Sequence, residues 1–223
     1  LAGIADGFLL HDRPIQNRCD DSLVMAWQGR EYFYRRSRGY VPQPVTFARD
    51  ATGVVAFGAE QKASFAVGRG QHVFLSQHIG DLKNLETLDH YRESLDTFLR
   101  LFRIMPSTLV CDLHPDYFST QEAQEHAKRL GLPLLQVQHH WAHMASCMAD
   151  NRLAGPVFGI VWDGTGYGTD HSIWGGEFLA GDFQTFRRCG SIRPIFLPGG
   201  DAAIREIGRI GPSLLWDAGL PLD

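Results

Sequence analysis

No window of this sequence approaches the roughly 20 consecutive apolar residues that a bilayer-spanning helix requires. Its start, Leu1-Ala2-Gly3-Ile4-Ala5-Asp6, has neither an initiator Met nor the basic leader of a secretory signal. Cysteine is scarce. Cys19, Cys111, Cys147 and Cys189 stand far apart with no Cys-x-x-Cys pair, which argues against a disulfide framework or a thiolate zinc site. A reduced, cytoplasmic setting with structural cysteines is the expectation. An excess of one charge is also missing: 21 Lys plus Arg against 25 Asp plus Glu leave a net charge of −4. The basic surface of a nucleic-acid binder is therefore absent, and neither nucleic acid nor membrane is an expected partner. What the chain has in quantity is material for a core. The 14 Phe, 5 Trp and 6 Tyr exclude a disordered chain, and 223 residues leave room for one large domain or two small ones.

The first 45 residues read as the tail of a domain whose body is absent, so the chain is expected to be a fragment. An apolar run through Gly7-Phe8-Leu9-Leu10 ends on a polar turn, a strand-like run covers Cys19 to Met25, and Pro42 with Pro44 marks a linker. From Gly53 the pattern becomes regular. Strands are expected at 54–58, 63–68 and 72–76, separated by short polar or Gly turns. A helix follows on Leu85, Leu88, Leu95, Phe98, Leu99 and Phe102, ended by Pro106. Then come a strand at 109–113, a helix from Ser119 to Leu130 stopped by Gly131 and Pro133, a strand at 134–137, and a helix from near His139 to Asp150-Asn151. Three strands, helix, strand, helix, strand, helix is the order of a ribonuclease H-like half-domain, a mixed sheet with a meander on one side and parallel crossovers on the other. After Gly155-Pro156 the order restarts, with strands at 157–162, 172–180 and 183–190 and a short helix within 202–216. The expected fold class is α/β: a ribonuclease H-like, actin-like ATPase lobe, duplicated, with the second copy cut short.

The sharpest constellation is Val137-Gln138-His139-His140-Trp141-Ala142-His143. Positions i and i+4 share a helix face, so His139 and His143 can aim two imidazoles at one point. A strand-to-helix junction is also where open α/β sheets bind ligands. The plainer reading is three partly buried, hydrogen-bonded histidines on an amphipathic helix. His140, off that face, is expected to touch a ligand-holding group or the substrate rather than a metal. Next comes Trp162-Asp163-Gly164-Thr165-Gly166-Tyr167-Gly168, read as a strand ending at Asp163 and a glycine-rich turn. Such a turn exposes backbone N–H groups to phosphate oxygens, and the strand-end carboxylate can hold a cation. A tight hairpin turn is the alternative. Two nitrogens and one oxygen from His139, His143 and Asp163 would suit Fe or Zn with positions left open.

Glu177, beside Gly175-Gly176, is read either as orienting a substrate or as a turn residue. Gly199 and Gly200 precede a helix opening at Asp201, whose amides either bind an anion or are simply capped. Arg35, Arg36 and Arg38, near Asp20, Asp21 and Ser22, form a phosphate-friendly set or a solvated loop. His78 and His114 follow strand ends and are read as turn histidines that could line a cleft.

Several of these segments in order resemble one family: Ala5-Asp6-Gly7-Phe8-Leu9-Leu10-His11-Asp12-Arg13-Pro14-Ile15, the stretch from Arg35 to Pro42, Phe74 to Leu82, Gln138 to His143, Asp163 to Gly168, Trp174 to Glu177, and Leu197 to Asp201. Together they are similar to the hydrogenase-maturation carbamoyltransferases, the HypF family. The resemblance implies three segments: 1–45, the carboxy-terminal tail of a YrdC-like domain; 46–155, the first lobe of the transferase domain; and 156–223, the start of its second lobe. It implies ATP, carbamoyl phosphate and a divalent metal, Fe or Zn. It also implies a carbamoyl group passed through carbamoyl-AMP to a cysteine thiolate of a HypE-type partner. By the same resemblance His139, His143 and Asp163 match metal ligands, Asp163 and Glu177 are the catalytic candidates, and Gly164, Thr165, Gly166 and Gly168, with Gly199 and Gly200, match nucleotide contacts. Arg35, Arg36 and Arg38 match the edge of an adenylation pocket. Where members continue with an Arg-Glu-Pro-Trp-like stretch, this chain has Arg205-Glu206-Ile207-Gly208. The competing readings are a metal- or nucleotide-binding fragment without turnover, and an O-carbamoyltransferase for a small-molecule hydroxyl.

Overall fold

A computed structural model describes residues 3–221; Leu1, Ala2, Leu222 and Asp223, at the extremes of the first and last segments drawn from the sequence, lie outside it. The chain forms two compact units, Leu1–Leu135 and Gln136–Asp223.

In the first unit, β1 (Leu23–Trp27) and β2 (Arg30–Arg35) form a hairpin. Its two-residue turn places both Gln28 (φ 50°) and Gly29 (φ 72°) in the left-handed region, as a hairpin twisting with its strands requires. The stretch with Pro42 and Pro44, expected as a linker, leads directly into β3 (Val45–Thr46). That strand pairs antiparallel with β6 (His72–Leu75). β4 (Val54–Phe57) and β5 (Phe65–Arg69) complete an antiparallel meander with β6, and β7 (Thr108–Asp112) joins β4 in parallel. With β8 (Leu134–Val137) the sheet order is β3-β6-β5-β4-β7-β8, the meander-plus-crossover arrangement expected from the sequence.

Helix α1 (Leu85–Leu101) begins where the Asn84 side chain accepts the Thr87 amide hydrogen, and it buries Leu88, Tyr91, Leu95 and Phe98 on one stripe. It ends at Phe102, with Arg103 at φ 52°, before Pro106 is reached. Helix α2 (Phe118–Leu130) has no cap from Tyr117; the Glu60 carboxylate accepts the Phe118 amide hydrogen instead, at 2.8 Å. Burial raises the Glu60 pKa, and the Phe118 amide pulls it back. Tyr91, fully buried, meets Phe65 edge-on at 5.5 Å, in a core with Val55, Phe57, Val67, Leu95, Phe98 and Leu109. Each such side chain contributes roughly 1.5–3 kcal/mol by leaving water.

The second unit opens with α3 (His139–Asp150), followed by an antiparallel meander of β9 (Val157–Tyr167), β10 (Ile173–Gly181) and β11 (Phe186–Ser191). Met144 and Met148 of α3 pack with Val161, Trp174 and Leu179 in a separate core. The helix grouped by sequence with the strands before it thus builds the core of the unit that follows. Gly159 admits Met144: a Cβ there would lie 2.7 Å from its sulfur. The carboxy-terminal helix of the sequence reading is three short pieces, α4 (Asp201–Arg205), a 3-10 turn (Ile207–Arg209) and α5 (Ile210–Asp217), broken at Glu206, whose φ −109° and ψ 73° are not helical. Among the described residues no helix is long and apolar enough to cross a membrane.

Candidate metal centre

Helix α3 starts as abruptly as its sequence suggests. Gln138 takes extended backbone angles, and its side-chain oxygen accepts the Trp141 amide hydrogen at 2.9 Å, so the first turn is capped from its own chain. The stripe His140, Met144 and Met148 is buried. That orientation leaves the adjoining stripe, His139 and His143, one turn apart along the rim. Their Nε2 atoms stand 3.2 Å apart.

The third group comes from β9, whose alternation decides where it points. Phe158, Ile160 and Trp162 are exposed, whereas Gly159 and Val161 face α3. Two residues beyond Val161 on the same face is Asp163. Here the structure corrects the sequence reading. Asp163 does not end a strand, and Gly164, Thr165 and Gly166 do not form a turn. All lie within β9, which pairs with β10 on both sides, Trp162 opposite Gly176 and Gly166 opposite Trp174. Between those pairs Asp163, Gly164 and Thr165 face the single residue Gly175, a bulge that absorbs the glycine-rich stretch without breaking the strand. Only Gly168 lies beyond the strand end, pressed against Trp174 and Asp170.

His139, His143 and Asp163 converge, with one ligating atom from each lying within 4.8 Å of the others. Asp163 Oδ2 lies 2.9 Å from His139 Nε2 and 3.9 Å from His143 Nε2. This oxygen is buried, with the His139 imidazole as its close partner. The other oxygen accepts the Gly164 amide hydrogen at 2.7 Å. The Asp163 pKa lies below the ordinary carboxylate value, chiefly through the His139 imidazole, with burial opposing. Two imidazole nitrogens and one carboxylate oxygen this close together are a set that could hold a divalent cation, and two N with one O are of the kind that Zn or Fe accepts.

The remaining predicted residues make contacts of their own. Glu177, 2% exposed, is held by the fork of Arg188 at 2.6 and 3.0 Å and accepts the Gly175 amide hydrogen. Arg188 in turn lies 4.2 Å over the Trp174 ring. A carboxylate engaged at both oxygens fixes β10 against β11. Gly199 (φ 84°) and Gly200 (φ 57°) form a turn before α4, a helix of five residues. In the first unit, Arg35 pairs with Asp20 at 3.2 Å, Arg36 donates to the Gln43 carbonyl at 2.7 Å, and Arg38 donates to the Cys19 carbonyl and pairs with Asp21. His78 donates its amide hydrogen to the Arg36 carbonyl, and the His114 ring stacks on Tyr117 at 4.1 Å.

Asp170 escaped the sequence reading. It accepts from the Ser172 hydroxyl, the Ser172 amide and the Trp174 indole, and these bonds, the hydroxyl's first, draw its pKa down to about 2. The Asp-x-Ser spacing of a side-chain-capped turn is its only sequence signal.

Fold and site together define an actin-like, Kae1-type α/β protein with a His-x-x-x-His and Asp centre. The family model described as HypF Kae1-like domain matches residues 49–150, and that described as Carbamoyltransferase, Kae1-like Domain, second subdomain, matches residues 159–223. The chain belongs to the HypF family. It is 44% identical over 219 residues to Carbamoyltransferase HypF of Rhizobium leguminosarum bv. viciae, covering 98% of this chain and 28% of that protein. The Synechocystis relative of the same name is 43% identical over 218 residues, covering 97% and 28%. A crystal structure of full-length HypF in the phosphate- and nucleotide-bound form matches with a TM-score of 0.84 at 41% identity, over 90% of this chain and 26% of that one. The chain thus spans little more than a quarter of the length of these relatives.

Proposed function

We propose that this chain is the part of a hydrogenase-maturation carbamoyltransferase that holds a divalent cation, Zn or Fe, and a nucleotide beside the carbamoyl-transfer step. The observation that carries the reading is the convergence of His139, His143 and Asp163 in a chain of the HypF family. A cation held by these three side chains would supply Lewis-acid polarisation. The protein's own contribution is placement: α3 presents two imidazoles that must be unprotonated to ligate, and β9 presents a carboxylate already ionised.

In the full reaction, carbamoyl phosphate is hydrolysed to carbamate and phosphate. A carbamate oxygen then attacks the α-phosphorus of ATP, releasing pyrophosphate and forming carbamoyl-AMP. The thiolate of a carboxy-terminal cysteine on a HypE-type partner attacks the carbamoyl carbon, making a C–S bond as the C–O bond to AMP breaks. Gly164, Thr165, Gly166 and Gly168 are proposed to bring backbone close to the nucleotide phosphates. Gly164 has open space where a Cβ would stand, which supports that approach. Gly199 and Gly200 are proposed as further contacts and Glu177 as the group that positions the strand beside them. Residues 1–45 are proposed as the tail of a YrdC-like domain with Arg35, Arg36 and Arg38 at the edge of its adenylation pocket, 46–155 as the first transferase lobe and 156–223 as the start of the second. The setting is cytoplasmic.

The test is metal analysis of the purified chain with His139→Ala and His143→Ala, alongside carbamoyl-AMP consumption in the presence of the acceptor protein. Loss of bound metal in both variants supports the reading. Unchanged metal content refutes the ligand set, and nucleotide binding without carbamoyl transfer would favour a non-catalytic binding piece.

A further inference from the structure

His140, between the two ligand histidines, is completely buried, and nothing in the proposed reaction uses it. Its partners assign its tautomer. Gln138 Oε1 accepts the Trp141 amide hydrogen, which fixes which end of the amide is oxygen. Gln138 Nε2 donates to the Tyr167 carbonyl at 3.2 Å and faces His140 Nδ1, also at 3.2 Å. An amide nitrogen only donates, so Nδ1 must be the acceptor and carry no proton. The neutral ring then holds its proton on Nε2, a buried atom, and the Gly175 backbone is a polar neighbour that favours a proton on the ring.

The same ring occupies the space above Gly166, where a Cβ would stand 2.6 Å from its Cε1 and 2.9 Å from its Nδ1. Gly166 closes one end of the β9 bulge, Trp162 closes the other, and Asp163 lies between them. The imidazole therefore joins the helix that carries two ligands to the strand segment that carries the third.

We propose that His140 is the positioning residue of the metal centre: clamped by Gln138 as the Nε2–H tautomer, it sets the spacing between His139 and His143 on α3 and Asp163 on β9. The proposal rests on the reading of those three side chains as a metal site, and it asks more of the structure than that reading does.

The test is a zinc titration of the 223-residue chain, wild type beside His139→Ala, His140→Asn and Gln138→Glu, with ring-nitrogen NMR of the wild type. The wild type should bind zinc and His139→Ala should lose it. His140→Asn, which keeps an acceptor near the Nδ1 position but removes the ring, should weaken zinc binding by about 10–100-fold, the range typical of groups that orient ligands. Gln138→Glu still caps α3 but cannot donate to Nδ1, and should weaken it comparably. NMR should show Nδ1 bare and Nε2 protonated. Zinc affinity unchanged in His140→Asn, or in Gln138→Glu should His140→Asn not fold, overturns this proposal alone, as does a proton on Nδ1. A wild-type chain that takes no zinc overturns the metal reading and this proposal with it.

Discussion

Replacing Gly166 by Ala adds one methyl group at the point where β9 touches α3. The backbone admits it, since Gly166 is not among the residues of positive φ. The space does not. The new Cβ would stand 2.6 Å from His140 Cε1, 2.9 Å from its Nδ1 and 3.1 Å from His139 Cβ. Ordinary contact needs about 3.5–4.0 Å, so the helix and strand must separate by roughly 1 Å. His140 cannot swing aside cheaply, being fully buried and bonded to Gln138. Overpacking of this kind costs about 1–3 kcal/mol. For a chain of this size that lowers Tm by roughly 2–12 °C. The separation also moves His139 away from Asp163, so zinc affinity should fall in the same variant. The control is Gly164→Ala two residues earlier, where a Cβ would meet nothing within 4 Å, and whose Tm should stay within about 1 °C of wild type. Thermal unfolding followed by circular dichroism, with zinc competition, reads both effects. Equal Tm values for the two variants would refute the argument that the ring fills the glycine's hollow.

Other expected outcomes follow from groups away from that contact. Arg188→Met leaves Glu177 buried and uncompensated and should cost about 3–5 kcal/mol in a denaturant titration; Glu177→Gln added to it should recover a large part, and no recovery would show that the loss lies in the stacking on Trp174. Gly68→Ala, whose Cβ would come 2.0 Å from the Ala51 carbonyl oxygen, should prevent the β4–β6 meander from forming, seen as loss of cooperative unfolding. His78 and His90 sit below the ordinary imidazole pKa of 6.5, each chiefly through burial, so the unfolded chain takes up protons the folded one refuses. Stability should therefore be full above that pH and decline below it, and His90→Gln should flatten the decline between about pH 7 and 5 in urea titrations. Burial pushes the Cys111 thiol up to about 11, so alkylation at pH 8 should label the exposed Cys147 and Cys189 and reach Cys111 only after unfolding.

The helices were legible because their determinants are local. The apolar stripe of α1 and the left-handed Gly131 after α2 act within a few residues of one another. The His139–His143 pair was legible for the same reason, since one helical turn puts the rings on one face. Asp163 was read as a candidate ligand but with the wrong backbone. Three glycines within Asp163–Gly168 read as a turn, and only the pairing with β10, set by residues ten or so positions later, keeps that stretch in a strand. Glu177 was found as an acid beside two glycines, whereas its partner Arg188 arrives through the β10–β11 pairing, which no local pattern announces. β2 was missed because Tyr32, Phe33 and Tyr34 are all exposed, so no alternation of apolar and polar residues marks the strand.

The two-residue rhythm of β9 couples chemistry to folding. A slip of one position would present Trp162 to α3 where Asp163 now stands, and would turn Val161 out to water while Phe158 and Ile160 changed sides. The carboxylate cannot be lost by misalignment without the packing of Gly159 and Val161 against Met144 being lost too. Selection for a well-packed second unit is thereby also selection for a carboxylate facing the helix, and a chain that has made this contact has already aimed its acid.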